Sequence, residues 1–125
     1  MVNDTDPAGA DDACRSLAAG RLLPSVAPRT IADGLLTSLS ERTFAVIRAL
    51  VREIVTVDDR AIVRAMRLLW ERMKIVVEPS AAVPVAAVLE RRIDVAGRRV
   101  GVILSGGNVD LDHLPWQPRE HRPQG

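Results

Sequence analysis

The sequence has 125 residues and a net charge of +1, and 47% of its residues are hydrophobic. This composition is typical of one folded domain and excludes a strongly charged surface for nucleic acid or anionic membranes. The longest apolar run, Ala81 to Leu89, is too short to cross a membrane, and the first residues do not resemble a signal peptide. The single cysteine, Cys14, excludes an internal disulfide framework, so a cytoplasmic location is the default expectation.

A turn followed by a short helix is predicted within residues 6–20. Asp11 and Asp12 fall in the first turn of this helix, where acidic groups suit the helix dipole, and Gly20 is the expected stop. Residues 21–29 contain two prolines and no sustained periodicity, which predicts a connector.

The middle of the chain predicts helix, strand and helix. Ser38 and Glu41 fit a capping box that begins the first helix, and residues 54–57 are mostly β-branched, as in an interior strand. The second helix begins at Asp58 and Asp59. Its apolar and charged stripes lie about 200° apart, which indicates one core face and one solvated face. The apolar stripe consists of Ile62, Met66, Leu69 and Met73, and the charged stripe of Arg60, Arg64, Arg67 and Glu71.

The last part of the chain predicts a helix and a second strand. Ser80 is the expected N-cap of an alanine-rich helix from Ala81 to Glu90. Five of the six residues from Val100 to Ser105 are small or apolar, and this run stops at a Gly-Gly pair, which predicts a buried strand near residues 99–104 followed by a tight loop. Ligands bind at the carboxyl ends of such strands, although a Gly-Gly turn can also be simple punctuation. Residues 117–125 are polar and proline-rich and are predicted to be disordered.

Three motifs together resemble one enzyme family. They are Thr30-Ile-Ala-Asp-Gly34, Met73-Lys-Ile-Val-Val-Glu-Pro-Ser80 and Leu104-Ser-Gly-Gly-Asn-Val-Asp-Leu111. In order and spacing they are similar to the carboxyl-terminal part of pyridoxal-phosphate-dependent serine/threonine dehydratases and serine racemases. The resemblance covers residues 6–116 and implies an α/β fold, as part of the three-layer parallel-sheet domain of fold-type II, tryptophan-synthase-β-like enzymes. Within it, two helices join the expected strands at 54–57 and 99–104, an order that is compatible with a parallel pairing.

The resemblance also implies how pyridoxal phosphate would be bound. It places Ser105 at the pyridine nitrogen, with Gly106 and Asn108 in the same loop, Gly34 beside the ring and Glu78 on the pyridine side. As an alternative, Glu78 serves only the terminus of the helix that follows it. The sequence assigns no catalytic residue to this chain. The family's cofactor lysine and phosphate loop lie in an amino-terminal part that is absent here, and the only lysine, Lys74, corresponds to an ordinary family residue.

The acidic segment near the amino terminus has two interpretations. By its own pattern, it contains the capping groups of the first helix. Its resemblance to the family's Glu-Pro-x-x-Ala-Asp-Asp segment implies a Mg²⁺ or Ca²⁺ site formed by Asp6, the Ala10 carbonyl and Asp12. The chain has aspartate at position 6 where the family has glutamate, which is one methylene longer.

The sequence therefore predicts the carboxyl-terminal piece of a dehydratase that converts serine or threonine to pyruvate or 2-oxobutanoate. Some members of the family racemise serine instead. We expect the chain to be inactive alone and to need the amino-terminal half of the same enzyme, or a homologous subunit, with an amino acid as substrate. The alternative is a non-catalytic remnant or interaction module that keeps the fold.

Overall fold

The computed structural model describes residues 1–118, so residues 119–125 of the predicted disordered tail lie outside the described part. In chain order the elements are strand β1 (Val2–Pro7), helix α1 (Asp12–Ala19), a 3-10 turn (Asp33–Leu35), helix α2 (Glu41–Leu50), strand β2 (Val51–Val57), helix α3 (Asp59–Met73) and helix α4 (Pro79–Leu89). Among the described residues, no helix is long and apolar enough to cross a membrane.

The sheet consists of β1 and β2, which pair in parallel with Asn3 opposite Glu53 and Pro7 opposite Val57. The connection between the strands passes through α1 and α2. The sequence did not predict β1, because Val-Asn-Asp-Thr-Asp-Pro contains several residues that are rare in strands. This strand forms because β2 supplies backbone hydrogen-bond partners along its length.

The predicted strand at residues 99–104 is wrong for this structure. Residues 98–110 have no regular secondary structure, and the side chain of Ile103 is 83% exposed. A strand is held by backbone hydrogen bonds to a neighbouring strand, and neither of the described strands is paired with this segment. Residues 54–57 do belong to a parallel strand, but its partner is β1 and not residues 99–104.

Helices cover both faces of the sheet. Val55 and Val57 contact the main core, which contains residues of α3 and α4, whereas Ile54 is buried outside that core. On the Ile54 side, the Cys14 thiol of α1 donates to the Ile54 carbonyl oxygen at 3.3 Å. Because successive strand residues point to opposite faces, α4 and α1 lie on opposite sides of the sheet. This layering confirms the predicted α/β class with parallel strands.

The helix α3 has the two faces that its sequence predicts, except that Met73, at the end of the predicted apolar stripe, is 58% exposed. The Asp58 carboxylate caps it by accepting the Ala61 N–H at 2.8 Å. Ile62 and Met66 are completely buried in the core shared with α4. The charged face lies in solvent, and ion pairs such as Arg67–Glu71 form along it.

Two helices begin at other residues than the sequence predicts. The N-cap of α2 is Ser40 rather than Ser38, because the Ser40 hydroxyl accepts the Thr43 N–H at 3.1 Å. Helix α4 begins at Pro79, so Ser80 lies inside its first turn and is not the cap. The N-cap position belongs to Glu78, whose side chain makes no capping hydrogen bond.

Candidate functional site

The candidate site is built on the amino-terminal end of α4. The Glu78 N–H donates to the Gly106 carbonyl oxygen at 3.2 Å, and the Glu78 carboxylate oxygen Oε2 accepts the Asn108 N–H at 2.9 Å. These two bonds attach the Ser-Gly-Gly-Asn loop directly to the residue that precedes the helix. The structure therefore brings together three of the predicted cofactor-side residues.

Gly106 is required by the shape of this loop. Its φ angle is +100°, a conformation that residues with a side chain rarely adopt. A Cβ atom at this position would lie 2.7 Å from the carboxylate carbon of Glu78, and one at Gly107 would lie 3.0 Å from the Val76 carbonyl oxygen. The loop can approach residues 76–78 this closely because it has no side chains at these two positions.

The Thr30–Gly34 segment is anchored at the same end of α4. The Gly34 N–H donates to the Ser80 hydroxyl oxygen at 3.1 Å. Upstream, the Asp59 carboxylate accepts the Thr30 hydroxyl at 2.5 Å and the Ile31 N–H at 3.1 Å. Sequence reasoning identified Ser80 and Asp59 only as helix-starting residues and missed their function as anchors. A polar residue at a helix start predicts a hydrogen bond to the backbone of its own helix. It does not predict a hydrogen bond to a residue 28 or more positions away.

Ser105 lies next to Gly106 at the edge of a cavity of about 1010 Å³. Its hydroxyl makes no hydrogen bond to any described residue. The cavity extends along the sheet from Ser80 and Ser105 to the amino ends of both strands, where Asn3 and Glu53 line it. The Oδ1 atom of Asn3 is buried and has no hydrogen-bond partner among the described residues. The five predicted cofactor-side positions thus lie around one helix end, and Ser105 presents an unengaged hydroxyl.

The acidic segment at the start of α1 carries buried negative charge. The Asp6 side chain is only 8% exposed, and its Oδ2 atom accepts the Cys14 N–H at 3.0 Å. Burial raises the pKa of Asp6 to about 7, against the lowering effect of that hydrogen bond. The negative charges of Asp4, Asp12 and Asp11 raise it further.

The predicted metal ligands belong to this acidic segment. Asp6, Ala10 and Asp12 are all buried and lie within seven residues of one another along the chain. In the described part of the chain, no group of three or more His, Cys, Asp or Glu side chains is placed to hold a metal ion. The predicted set has only two such side chains and would be completed by the Ala10 carbonyl. A metal ion at this position stays a prediction.

The thiol of Cys14 and the amine of Lys74 are common nucleophiles in enzymes, but here both groups make hydrogen bonds to backbone carbonyl oxygens. Burial, followed by the negative charge of Asp6, raises the pKa of the Cys14 thiol, which keeps it protonated and unreactive. Lys74 ends α3 in a left-handed conformation with φ of +59°, and its amine donates to the Glu71 carbonyl oxygen at 2.7 Å. The surroundings of both residues are those of residues that stabilise the fold.

A parallel α/β unit with a Ser-Gly-Gly-Asn loop bound to a helix start is an arrangement that occurs in ligand-binding α/β domains. Comparison with known proteins identifies the family. The family described as pyridoxal-phosphate dependent enzyme matches residues 4–106, and the chain belongs to this family. This confirms the family that the three motifs predict.

Individual relatives support the same assignment. The chain is 51% identical over 111 residues to the β-hydroxyaspartate dehydratase of Paracoccus denitrificans, covering 89% of this chain and 35% of the relative. It is 41% identical over 126 residues to the serine racemase of Rattus norvegicus, covering 98% of this chain and 38% of the relative. The chain therefore spans about a third of the length of these curated relatives.

A solved structure confirms the fold class. The chain is similar to maize serine racemase with a TM-score of 0.80 and 44% identity, over 86% of this chain and 34% of the other. The fold is therefore that of a partial domain of the tryptophan-synthase-β-like enzymes.

Proposed function

We propose that this chain supplies the carboxyl-terminal part of the large domain of a pyridoxal-phosphate-dependent dehydratase. Its predicted substrates are L-serine and L-threonine, and their shared chemistry is a β-hydroxyl group on an α-amino acid. The observation that carries the proposal is the attachment of two motif segments to one helix end, through Gly34–Ser80 and through Glu78 with Gly106 and Asn108. A relative named β-hydroxyaspartate dehydratase makes 3-hydroxyaspartate the third substrate to test.

The residues at this site fit the cofactor. Pyridoxal phosphate, when bound, withdraws electrons from the amino acid so that the β-hydroxyl can leave. The Ser105 hydroxyl would hydrogen-bond the pyridine nitrogen, and it is not engaged by other described residues. Because a hydroxyl is neutral, it does not enforce protonation of that nitrogen as a carboxylate would, which favours prompt loss of the β-hydroxyl. Gly34, which lacks a side chain, would allow the backbone to lie beside the ring.

The proposal requires the amino-terminal part of such an enzyme, which carries the lysine and the phosphate loop. Several features support packing against this part. Apolar side chains lie on the surface at Val46, Leu50 and Ile103, which are 57%, 67% and 83% exposed. A cavity lies beside the sheet, and the buried Asn3 Oδ1 atom has no hydrogen-bond partner among residues 1–118.

Complementation tests the proposal. The chain is co-expressed with the amino-terminal part of a family member that contains the lysine and the phosphate loop. We expect 2-oxo acid formation from L-serine or L-threonine only when both parts are present. Ser105→Ala should lower this activity by about ten- to a hundredfold, as expected for a lost hydrogen bond to a ring nitrogen. Ser38→Ala, at an exposed position on the connector before α2, is the matched control.

Two results would contradict the proposal. Activity of the 125-residue chain alone would show that no second part is needed. A soluble two-part complex without activity on L-serine, L-threonine or 3-hydroxyaspartate would favour the alternative, a non-catalytic module that keeps the large-domain fold.

We also propose that Asp6, the Ala10 carbonyl and Asp12 bind Mg²⁺ or Ca²⁺. The support is the burial of two acidic side chains, because a divalent cation would compensate two carboxylates that are largely removed from water. Cation at a hundredfold excess over its Kd should stabilise the chain by about 2.7 kcal/mol, measured as a higher Tm. Asp12→Asn should abolish this increase, whereas Asp33→Asn at an exposed site should keep it. No increase in the unsubstituted chain would leave the aspartates as helix-capping groups.

A further inference from the structure

Glu78 occupies the N-cap position of α4 but does not cap the helix. An N-cap side chain normally accepts an N–H from the first turn of its own helix. The Glu78 carboxylate makes no such bond. Its Oε2 atom accepts the Asn108 N–H at 2.9 Å, so the side chain is directed away from the helix and toward the glycine loop.

Two hydrogen bonds join the loop to Glu78. The Glu78 N–H donates to the Gly106 carbonyl oxygen at 3.2 Å, and Oε2 accepts the Asn108 N–H at 2.9 Å. A Cβ atom at Gly106 would collide with Oε1, and one at Gly34 would lie 3.9 Å from the same oxygen. Oε2 therefore binds the loop, whereas Oε1 lies close to both Gly106 and Gly34.

The position of Ser105 depends on this attachment. The Ser105 side chain makes no hydrogen bond to the described residues, and Ser105 is joined directly to Gly106, whose carbonyl oxygen is bound by the Glu78 N–H. In the first turn of α4, Ser80 binds the Gly34 N–H through its hydroxyl oxygen. The first turn of α4 thus carries both segments of the candidate site.

We infer that Glu78 is a positioning residue that places Ser105 by clamping the Gly106–Asn108 loop. The link to the cofactor rests on the function proposed above, whereas the clamp itself rests only on the contacts of Glu78. The clamp needs a hydrogen-bond acceptor at the end of a side chain of this length, and it does not need a charge. Glutamine supplies the same acceptor, so Glu78→Gln should keep the clamp and Glu78→Ala should release it.

Amide hydrogen exchange of Asn108, measured at residue resolution on the full 125-residue chain, tests the clamp. Relative to the unsubstituted chain, Glu78→Ala should accelerate exchange at Asn108 by about tenfold or more, because the amide loses its hydrogen-bond acceptor. Glu78→Gln should leave the rate within about threefold. Glu71→Ala is the matched control, since Glu71 is an exposed glutamate whose carboxylate pairs with Arg67 on the surface of α3. It should leave exchange at Asn108 unchanged.

Gly106→Ala provides a second test if Glu78→Ala does not fold. This substitution keeps Glu78 but pushes a Cβ against its carboxylate, so it should also accelerate exchange at Asn108. Unchanged exchange at Asn108 in both variants would overturn the inference, and so would a Glu78→Gln variant that exchanges as fast as Glu78→Ala. These measurements need no cofactor or partner. A protected Asn108 amide without any dehydratase activity in the two-part complex would support the clamp while refuting the proposed function.

Discussion

The buried carboxyl group of Asp6 makes the stability of the folded chain depend on pH. Its pKa is raised from 3.8 to about 7, chiefly because burial disfavours the charged form. The folded state therefore binds the Asp6 proton more tightly than the unfolded state does. The contribution of the Asp6 proton to the free energy of unfolding has its full value below about pH 4. This contribution is lost as the pH rises through 7. The full loss amounts to about 4 kcal/mol, since one pKa unit corresponds to 1.36 kcal/mol.

Asp6→Asn removes this titration with little change of shape. The amide oxygen of asparagine can still accept the Cys14 N–H, but the side chain cannot ionise. Between about pH 4 and pH 7, the free energy of unfolding of the unsubstituted chain should fall by about 1.4 kcal/mol per pH unit relative to the variant. At pH 8 the variant should be the more stable of the two by up to about 4 kcal/mol.

Urea unfolding at pH 4, 6 and 8 measures this difference. A chelator is present throughout, because a divalent cation would stabilise the ionised form of Asp6 and hide the effect. Asp33→Asn, which changes an exposed aspartate, is the control and should follow the pH profile of the unsubstituted chain. Parallel profiles for the unsubstituted chain and Asp6→Asn would refute the reasoning, because they would mean that Asp6 ionises equally easily in the folded and unfolded states.

Three further substitutions or treatments test other parts of the structure. Incubation with pyridoxal phosphate and reduction with borohydride should give no stoichiometric modification of Lys74; mass spectrometry that finds one would contradict its structural assignment. Gly9→Ala should lower the Tm and destabilise the fold by about 1–3 kcal/mol, because its Cβ would lie 2.8 Å from the Arg29 carbonyl carbon; an unchanged Tm would contradict that contact. Met66→Ala should cost about 2–5 kcal/mol in urea unfolding, since Met66 is completely buried, and a loss below 1 kcal/mol would refute its place in the core.

The parts of the fold that the sequence predicted are those determined locally. Helix α3 was predicted because its apolar residues recur at helical spacing and Asp58 stands where a cap belongs. The strand β1 was missed and the one at 99–104 was wrong for a common reason. Strand formation depends on a neighbour, so polar β1 is a strand beside β2, and the apolar segment 99–104 is not one without a partner.

The candidate site divides in the same way. The family resemblance assigned Gly34, Glu78, Gly106 and Asn108 to the cofactor, and the structure brings these residues together at the start of α4, while their binding of a cofactor stays a prediction. It did not predict which groups bond, because Glu78 and Asn108 are 30 residues apart and their spacing along the chain carries no geometric information. The expectation that Ser80 caps α4 was wrong, since Pro79 already occupies the first helical position and Ser80 binds Gly34 instead.

The contact between α3 and the carboxyl-terminal segment has an optical consequence. The chain has two tryptophans and no tyrosine, and the rings of Trp70 and Trp116 meet edge to face with their centroids 5.3 Å apart. The indole N–H of Trp70 also donates to the Val77 carbonyl oxygen at 2.9 Å, one residue before Glu78. Nearly all of the near-ultraviolet absorbance and fluorescence of the chain therefore comes from two indole rings that are in contact with each other. Fluorescence can report, without any label, whether the segment that follows the glycine loop stays attached to the helix layer.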